Sequence, residues 1–215
     1  MNKAFSFDLF NAMPVVGIMR NIPDEHIETI AGVYCRSGLT CLEITMNSPN
    51  AERNIALLAD LFGGVLNIGA GTVCSMTDLE KALAANAQFI VTPIINEEVI
   101  KTCVAEKVPI FPGAYTPSEI YKAWSLGASM VKLFPAGDLK PGYIKEVLAP
   151  LSFVKLLPTG GITLDNFINY FQQGANGVGI GSQLFPKDVI IRQDWDALEE
   201  VCVSFVKKYR DFDAL

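Results

Sequence analysis

Residues 116–135 read Thr116-Pro117-Ser118-Glu119-Ile120-Tyr121-Lys122-Ala123-Trp124-Ser125-Leu126-Gly127-Ala128-Ser129-Met130-Val131-Lys132-Leu133-Phe134-Pro135, and this stretch decides the fold. Thr116 is followed by proline at the first helical position and by a carboxylate in the first turn, which marks a helix start. Gly127 stands where a helix C-cap belongs. An apolar run of strand length, 130–135, begins at once. Helix, cap and strand follow one another without a linker.

The same unit repeats along the chain. Eight runs of strand length occur, at 15–20, 40–46, 66–72, 89–93, 109–114, 130–135, 154–160 and 177–181, with starts 20 to 26 residues apart. Helical patterns lie between most of them, at 24–36 (Ile27, Ile30, Ala31, Val33), 75–86 (Leu79, Ala82, Leu83), 96–106 (Val99, Ile100, Cys103, Val104) and 116–126. Ser37-Gly38, Leu126-Gly127-Ala128 and Gln173-Gly174-Ala175 supply further helix ends before strands. Strict β-α alternation implies a parallel sheet with right-handed crossovers. Eight units predict an α/β fold of the (β/α)8 TIM barrel type, one domain over 1–215, with an N-terminal segment at 1–13 and a C-terminal helix at 193–215. A doubly wound open sheet competes, but no GxGxxG follows the first run.

Composition narrows the function. Half of the 215 residues are apolar, 19% are charged, and the net charge is -6. A chain of this kind buries a large core, and its charge argues against a nucleic-acid partner. No apolar stretch is long enough to span a bilayer, and the interrupted start, with Asp8 and Asn11, does not read as a signal peptide. Five cysteines with no close pair fit reduced, buried thiols in a cytoplasm. The single histidine, His26, leaves no imidazole cluster for zinc and reads as surface, though the count leaves a carboxylate-bound magnesium open. Phe5, Phe7, Leu9 and Phe10 predict a short segment packed on the body or on a neighbouring subunit.

Alternation within the runs points to chemistry. In 40–46, Leu42, Ile44 and Met46 share one face and Cys41, Glu43 and Thr45 the other; in 130–135, Lys132 falls between Met130 and Phe134. A barrel strand buries its apolar outer face under helices, so Glu43 and Lys132 are both expected to point inward. A lone ammonium in such a place costs free energy unless it is paired or neutralised. At the ordinary pKa of about 10.4 only about one amine in a few thousand is neutral at pH 7, whereas a depressed pKa supplies the nucleophile that imine chemistry needs. The plain alternative is a strand lysine with its head in water. Glu43 is a candidate proton shuttle or, equally, a structural partner for an arginine. A tight ion pair with Lys132 would raise the lysine pKa, so a water or substrate is expected between them.

Other residues fit an anionic ligand. Pro158-Thr159-Gly160-Gly161-Ile162 and Gly179-Ile180-Gly181-Ser182 end the last two runs, where (β/α)8 enzymes frequently hold phosphate on backbone N–H groups; both also read as simple tight turns. Ile68-Gly69-Ala70-Gly71-Thr72 permits close approach of a ligand, or marks a crowded interior. Arg20, ending the first run, offers a fork to a substrate carboxylate, or else a surface salt bridge.

Taken in order, Leu42-Glu43-Ile44-Thr45, Ile68-Gly69-Ala70-Gly71-Thr72, Val91-Thr92-Pro93, Val131-Lys132-Leu133-Phe134-Pro135-Ala136 and Pro158-Thr159-Gly160-Gly161-Ile162 resemble the KDPG/KHG aldolase family, over roughly residues 14–185. The resemblance implies a (β/α)8 trimer that uses a Schiff-base lysine with no metal and no other cofactor. It implies cleavage of a small-molecule 2-keto acid: 2-keto-3-deoxy-6-phosphogluconate or its galactonate epimer to pyruvate and glyceraldehyde 3-phosphate, or 4-hydroxy-2-oxoglutarate to pyruvate and glyoxylate. By position it makes Lys132 the imine lysine and Glu43 the general acid/base. Thr72 and the Pro93 region then hold the pyruvyl carboxylate, Phe134 and Thr159 contact the substrate, and Gly160, Gly161, Gly181 and Ser182 hold phosphate. Many members carry an arginine four residues after the glutamate; here Asn47 stands there, and Arg20 is expected to supply the charge, as in a subgroup that includes the phosphogalactonate aldolases. Two rivals keep the fold: a sugar-phosphate epimerase or isomerase with Glu43 as base and no imine, and a non-catalytic sugar-phosphate-binding protein.

Overall fold

Short aliphatic runs bounded by glycine, proline or a capped helix become strands, and the amphipathic segments between them become helices. In the computed structural model, which describes residues 4–140 and 142–214, the order is α1 (Phe7–Ala12), β1 (Val15–Met19), α2 (Ile27–Arg36), β2 (Cys41–Thr45), α3 (Ala51–Phe62), β3 (Asn67–Gly71), α4 (Met76–Ala84), β4 (Phe89–Val91), α5 (Glu97–Ala105), β5 (Ile110–Phe111), β6 (Gly113–Ala114), α6 (Pro117–Ser125), β7 (Val131–Leu133), α7 (Tyr143–Leu148), β8 (Leu156–Pro158), α8 (Phe167–Gln172), β9 (Val178–Ile180), α9 (Lys187–Ile191) and α10 (Trp195–Asp213). Residues 1–3 of the expected N-terminal segment and residue 215 of the expected C-terminal helix lie outside the described residues. A 3-10 turn, Asp24–His26, precedes α2. The expected start of α6 is present in full: Thr116 and Glu119 form a capping box around Pro117.

The strand pairs are parallel. One sheet runs β5-β4-β3-β2-β1-β9 and the other β6-β7-β8. The run expected as one strand over 109–114 is divided at Pro112, so that β5 pairs with β4 and β6 with β7. Proline has no N–H to give to a ladder, and the pairing changes partner where it stands. Its carbonyl still accepts the Lys132 N–H at 2.9 Å. On the other side Thr159, just past β8, bridges to Gly179 of β9. The result is a single α/β domain built on a curled parallel sheet.

The two faces of that sheet carry different residues. Leu42, Ile44, Ile68, Ala70, Ile90 and Ile110 pack outward under the helices. Val16, Cys41, Phe89, Val91, Phe111, Met130 and Leu157 pack on the concave side, joined there by Phe10 of α1 and by Phe5. The Phe5 ring lies 5.4 Å from Phe89, and Phe10 lies 6.2 Å from Phe111. The N-terminal segment thus packs on the body of its own chain, near the strands' N-terminal ends. Ser6 Oγ caps α1 by accepting the Leu9 N–H, and the Asn67 side chain exchanges two 2.8 Å hydrogen bonds with the Ser6 backbone. Burying each of these phenylalanines contributes about 1.5–3 kcal/mol. The strands' other ends are left for polar groups.

Candidate active site

Strand parity places the charged pair. Glu43 lies between Cys41 and Thr45 on the concave face of β2, and Lys132 is the centre of β7, in register with Gly113 of β6 and Leu157 of β8. Glu43 is 1% exposed and Lys132 4%. No ion pair joins them among the described residues; the five salt bridges there involve other groups. Among the described residues Glu43 Oε2 has no hydrogen-bond partner. The Lys132 ammonium sits over the Phe134 ring, 5.0 Å from its centroid.

Burial sets the protonation of both. Loss of solvent pulls the Lys132 amine below its ordinary pKa; the Glu43 carboxylate opposes this, and the Arg20 charge adds to it. Burial likewise pushes the Glu43 carboxyl upward, against the smaller opposing pulls of Lys132 and Arg20. An amine eased toward its neutral form and a carboxyl eased toward its protonated form share one interior.

Arg20 follows β1 and is exposed, but it makes no surface salt bridge among the described residues; its Nη2 donates to Thr72 Oγ1 at 3.4 Å. Thr72 follows β3 with φ 58°, in the left-handed region. A β-branched residue there costs about 1–3 kcal/mol, and such strain clusters at sites where a side chain must be aimed. The Arg20 charge bears on that interior: it adds to the lowering at Lys132 and opposes the rise at Glu43.

A cavity of about 680 Å³ opens at this end of the sheet. Of the residues singled out from sequence, Arg20, Lys132, Phe134, Thr159, Gly160, Gly161, Gly181 and Ser182 line it. Glu43 and Thr72 reach it only through neighbours: Glu43 lies against Gly71, and Thr72 is bonded to Arg20. Pro93 does not line it; its backbone packs on Gly113, the register partner of Lys132. Gly160 and Gly161 both have positive φ (90° and 71°), and a Cβ at Gly161 would collide with Gly137 in the loop after β7. Their N–H groups, and that of Ser182, have no acceptor among the described residues. The helices that follow, α8 and α9, have only six and five residues, so neither supplies a long helix dipole at the cavity.

Sequence reasoning missed part of the wall. His26, expected on the surface, is half-buried, stacks edge-on against Trp195 at 5.3 Å and lines the cavity. Lys187, Ile190 and Ile191 of α9 line it too. The one available signal was Lys187 itself, a cation with no acidic partner among the described residues, since Asp188 pairs with Arg192. No Asp or Glu is among the lining residues, so a chain of net charge -6 presents only positive or neutral groups here. All five cysteines are free. No helix among the described residues is long and apolar enough to cross a membrane.

Comparison with known proteins agrees with this geometry. The family model for KDPG and KHG aldolase matches residues 8–201. The 2-dehydro-3-deoxy-6-phosphogalactonate aldolase of Escherichia coli is 33% identical over 201 residues, 93% of this chain and 96% of that protein. A solved structure described as native KDPGal superposes with a TM-score of 0.89 at 30% identity, covering 99% of this chain and 100% of that one. The KDPG aldolase of Legionella pneumophila, solved with pyruvate captured as a covalent carbinolamine, superposes with a TM-score of 0.84 at 28% identity, over 92% of this chain and 96% of that one. The chain belongs to the KDPG and KHG aldolase family and is a carbon–carbon lyase of the class I, Schiff-base kind.

Proposed function

We propose that the protein cleaves a 2-keto-3-deoxy-6-phospho sugar acid, reversibly, to pyruvate and glyceraldehyde 3-phosphate, with Lys132 as the imine-forming residue. The observation that carries this is an amine almost wholly buried, lowered in pKa and unpaired, beside an equally buried carboxyl whose Oε2 is unpartnered. Neutral Lys132 attacks the C2 keto carbon, and protonated Glu43 gives its proton to the carbinolamine hydroxyl, which leaves as water to give a protonated imine and a Glu43 carboxylate. Glu43 takes the C4 hydroxyl proton as the C3–C4 bond breaks; its electrons pass into the imine and leave an enamine. The aldehyde departs. Glu43 returns the proton to C3, and water hydrolyses the imine to pyruvate and neutral Lys132, with the released proton taken back by Glu43. A raised carboxyl pKa suits a group that must hold a proton between two steps.

The remaining roles follow the cavity. Arg20 takes the pyruvyl carboxylate with Thr72, Pro93 shapes the wall behind Gly113, and Phe134 and Thr159 contact the carbon chain. The N–H groups of Gly160, Gly161, Gly181 and Ser182 take phosphate. No metal enters these steps. The kinked run through Pro112 and the Thr159–Gly179 bridge support reading the curled sheet as a closed (β/α)8 barrel. The matched relative named for the galactonate substrate, together with Arg20 in place of an arginine at Asn47, favours the galactonate epimer. Cleavage of 4-hydroxy-2-oxoglutarate to pyruvate and glyoxylate uses the same imine end. The five free thiols support a cytoplasmic location, and a homotrimer is what the family resemblance implies.

Borohydride reduction in the presence of pyruvate, followed by mass spectrometry, should place a three-carbon adduct on Lys132. Equal trapping by Lys132→Ala would refute the assignment, and turnover that survives that substitution would favour an epimerase or isomerase.

A further inference from the structure

The cavity wall formed by residues 20–26 is tied at two points, both to the segment that follows β2. Asn21 lies in the left-handed region, φ 53°, and its N–H donates to Ser48 Oγ at 2.9 Å. Ser48 Oγ lies 2.8 Å from Thr45 Oγ1, on the last residue of β2. Thr45 is fully buried, so this hydroxyl is a fixed anchor. Three residues beyond Asn21, the Asp24 carboxylate accepts from Asn50 Nδ2 at 2.5 Å and from Asn54 Nδ2 at 2.8 Å. Ile22 and Pro23, between the ties, line the cavity.

Arg20 is the residue just before the first tie. Its side chain has one hydrogen bond, the long one to Thr72, and is otherwise exposed. Side-chain contacts alone therefore restrain it weakly, and a long exposed side chain has many rotamers to lose on binding. The backbone supplies the restraint instead. Asn21 turns the chain sharply after Arg20, and Ser48 holds that turn against β2. Ser48 itself is not among the residues that line the cavity.

We propose that Ser48 is a positioning residue. Through the Asn21 N–H it fixes the direction of the Arg20 guanidinium, and so the affinity for the keto-acid carboxylate, without touching substrate. This rests on the reading of Arg20 as the carboxylate's partner.

The test is pyruvate release from 2-keto-3-deoxy-6-phosphogalactonate by wild type, Ser48→Ala, Ser48→Thr, Arg20→Met and the double variant Ser48→Ala/Arg20→Met, with melting curves for each. Ser48→Ala should raise KM about five- to tenfold and leave kcat within about twofold, because uniform binding is lost and the chemistry is not. Ser48→Thr, which keeps the acceptor oxygen, should restore KM. In the Arg20→Met background, Ser48→Ala should add nothing, since the two act as one unit. Arg20→Met raising KM while Ser48→Ala does not would overturn the inference, as would an additive double variant. An unchanged KM in Arg20→Met would instead refute the carboxylate role of Arg20.

Discussion

Gly71 and Glu43 are in contact: the carboxylate of one occupies the space a side chain would take on the other, and a Cβ at residue 71 would collide with Oε1. The absent methyl fixes where the Glu43 carboxyl, the proposed proton shuttle, stands. Gly71→Ala is expected to displace Glu43 and lower kcat about 10- to 100-fold, since small misplacements of a catalytic group carry costs of that order. Pyruvate should still be trapped on Lys132 by borohydride, and the melting curve should remain cooperative. An unchanged kcat would show that Glu43 need not be held there.

The acid limb of the rate reports Lys132. With neutral Lys132 as the proposed nucleophile and its pKa lowered by burial, adduct formation should rise with pH through a value below the ordinary lysine range and then level off. Glu43 opposes the lowering, so Glu43→Gln should move the limb to lower pH. Arg20 assists it, so Arg20→Met should move the limb to higher pH. The rate of borohydride trapping with pyruvate, followed across pH, measures all three. A wild-type limb at the ordinary lysine value would contradict the burial argument.

Glu43 also has a cost to stability, with a definite sign. Its carboxyl pKa is raised on folding, so the folded state binds that proton more tightly than the unfolded chain does. Stability from this group is therefore present at low pH, falls as pH rises out of the ordinary carboxylate range, and is fully lost above the raised value. Glu43→Gln should raise the melting temperature at pH 8, by about 2–4 °C for each kcal/mol recovered, and raise it less at pH 4. Calorimetry at the two pH values checks this. A loss of stability at pH 8 would mean the carboxylate is better satisfied than its unpartnered Oε2 indicates.

Lys187 is a cation on the far wall of the cavity with no carboxylate partner among the described residues. If phosphate lies on the Gly160–Gly161 and Gly181–Ser182 turns, Lys187→Met should raise KM for the phosphorylated acid about three- to tenfold, as loss of one charge-assisted contact does. KM for unphosphorylated 4-hydroxy-2-oxoglutarate should not change. Parallel shifts for both substrates would place Lys187 outside phosphate recognition.

What was legible in the sequence was whatever rests on periodicity. The inward parity of Glu43 and Lys132 follows from alternation alone, because each strand needs its other face for the helices, and the structure buries both. The start of α6 was legible because proline and a capping box are local devices. The division of 109–114 was not read, although Pro112 marks it: a missing N–H matters only once the neighbouring strand is known. Four helices, α1, α7, α8 and α9, have six residues or fewer and show too few turns for a 3.6-residue pattern to emerge. His26 and Lys187 belong to the site through tertiary placement of residues flanking α2 and opening α9, which no spacing near Lys132 encodes.

The aromatic plug formed by Phe5 and Phe10 has a practical side. The Gln88 side chain reaches back to the Ala4 carbonyl, 84 positions away in the chain, so Phe5 and Phe10 have their full seat only when the fourth and fifth strands are in place. That seat closes the floor of the fold while the reacting groups sit at its roof. Ala4 therefore lies on the side away from the mouth, which makes that side the one to immobilise when substrate must keep free access.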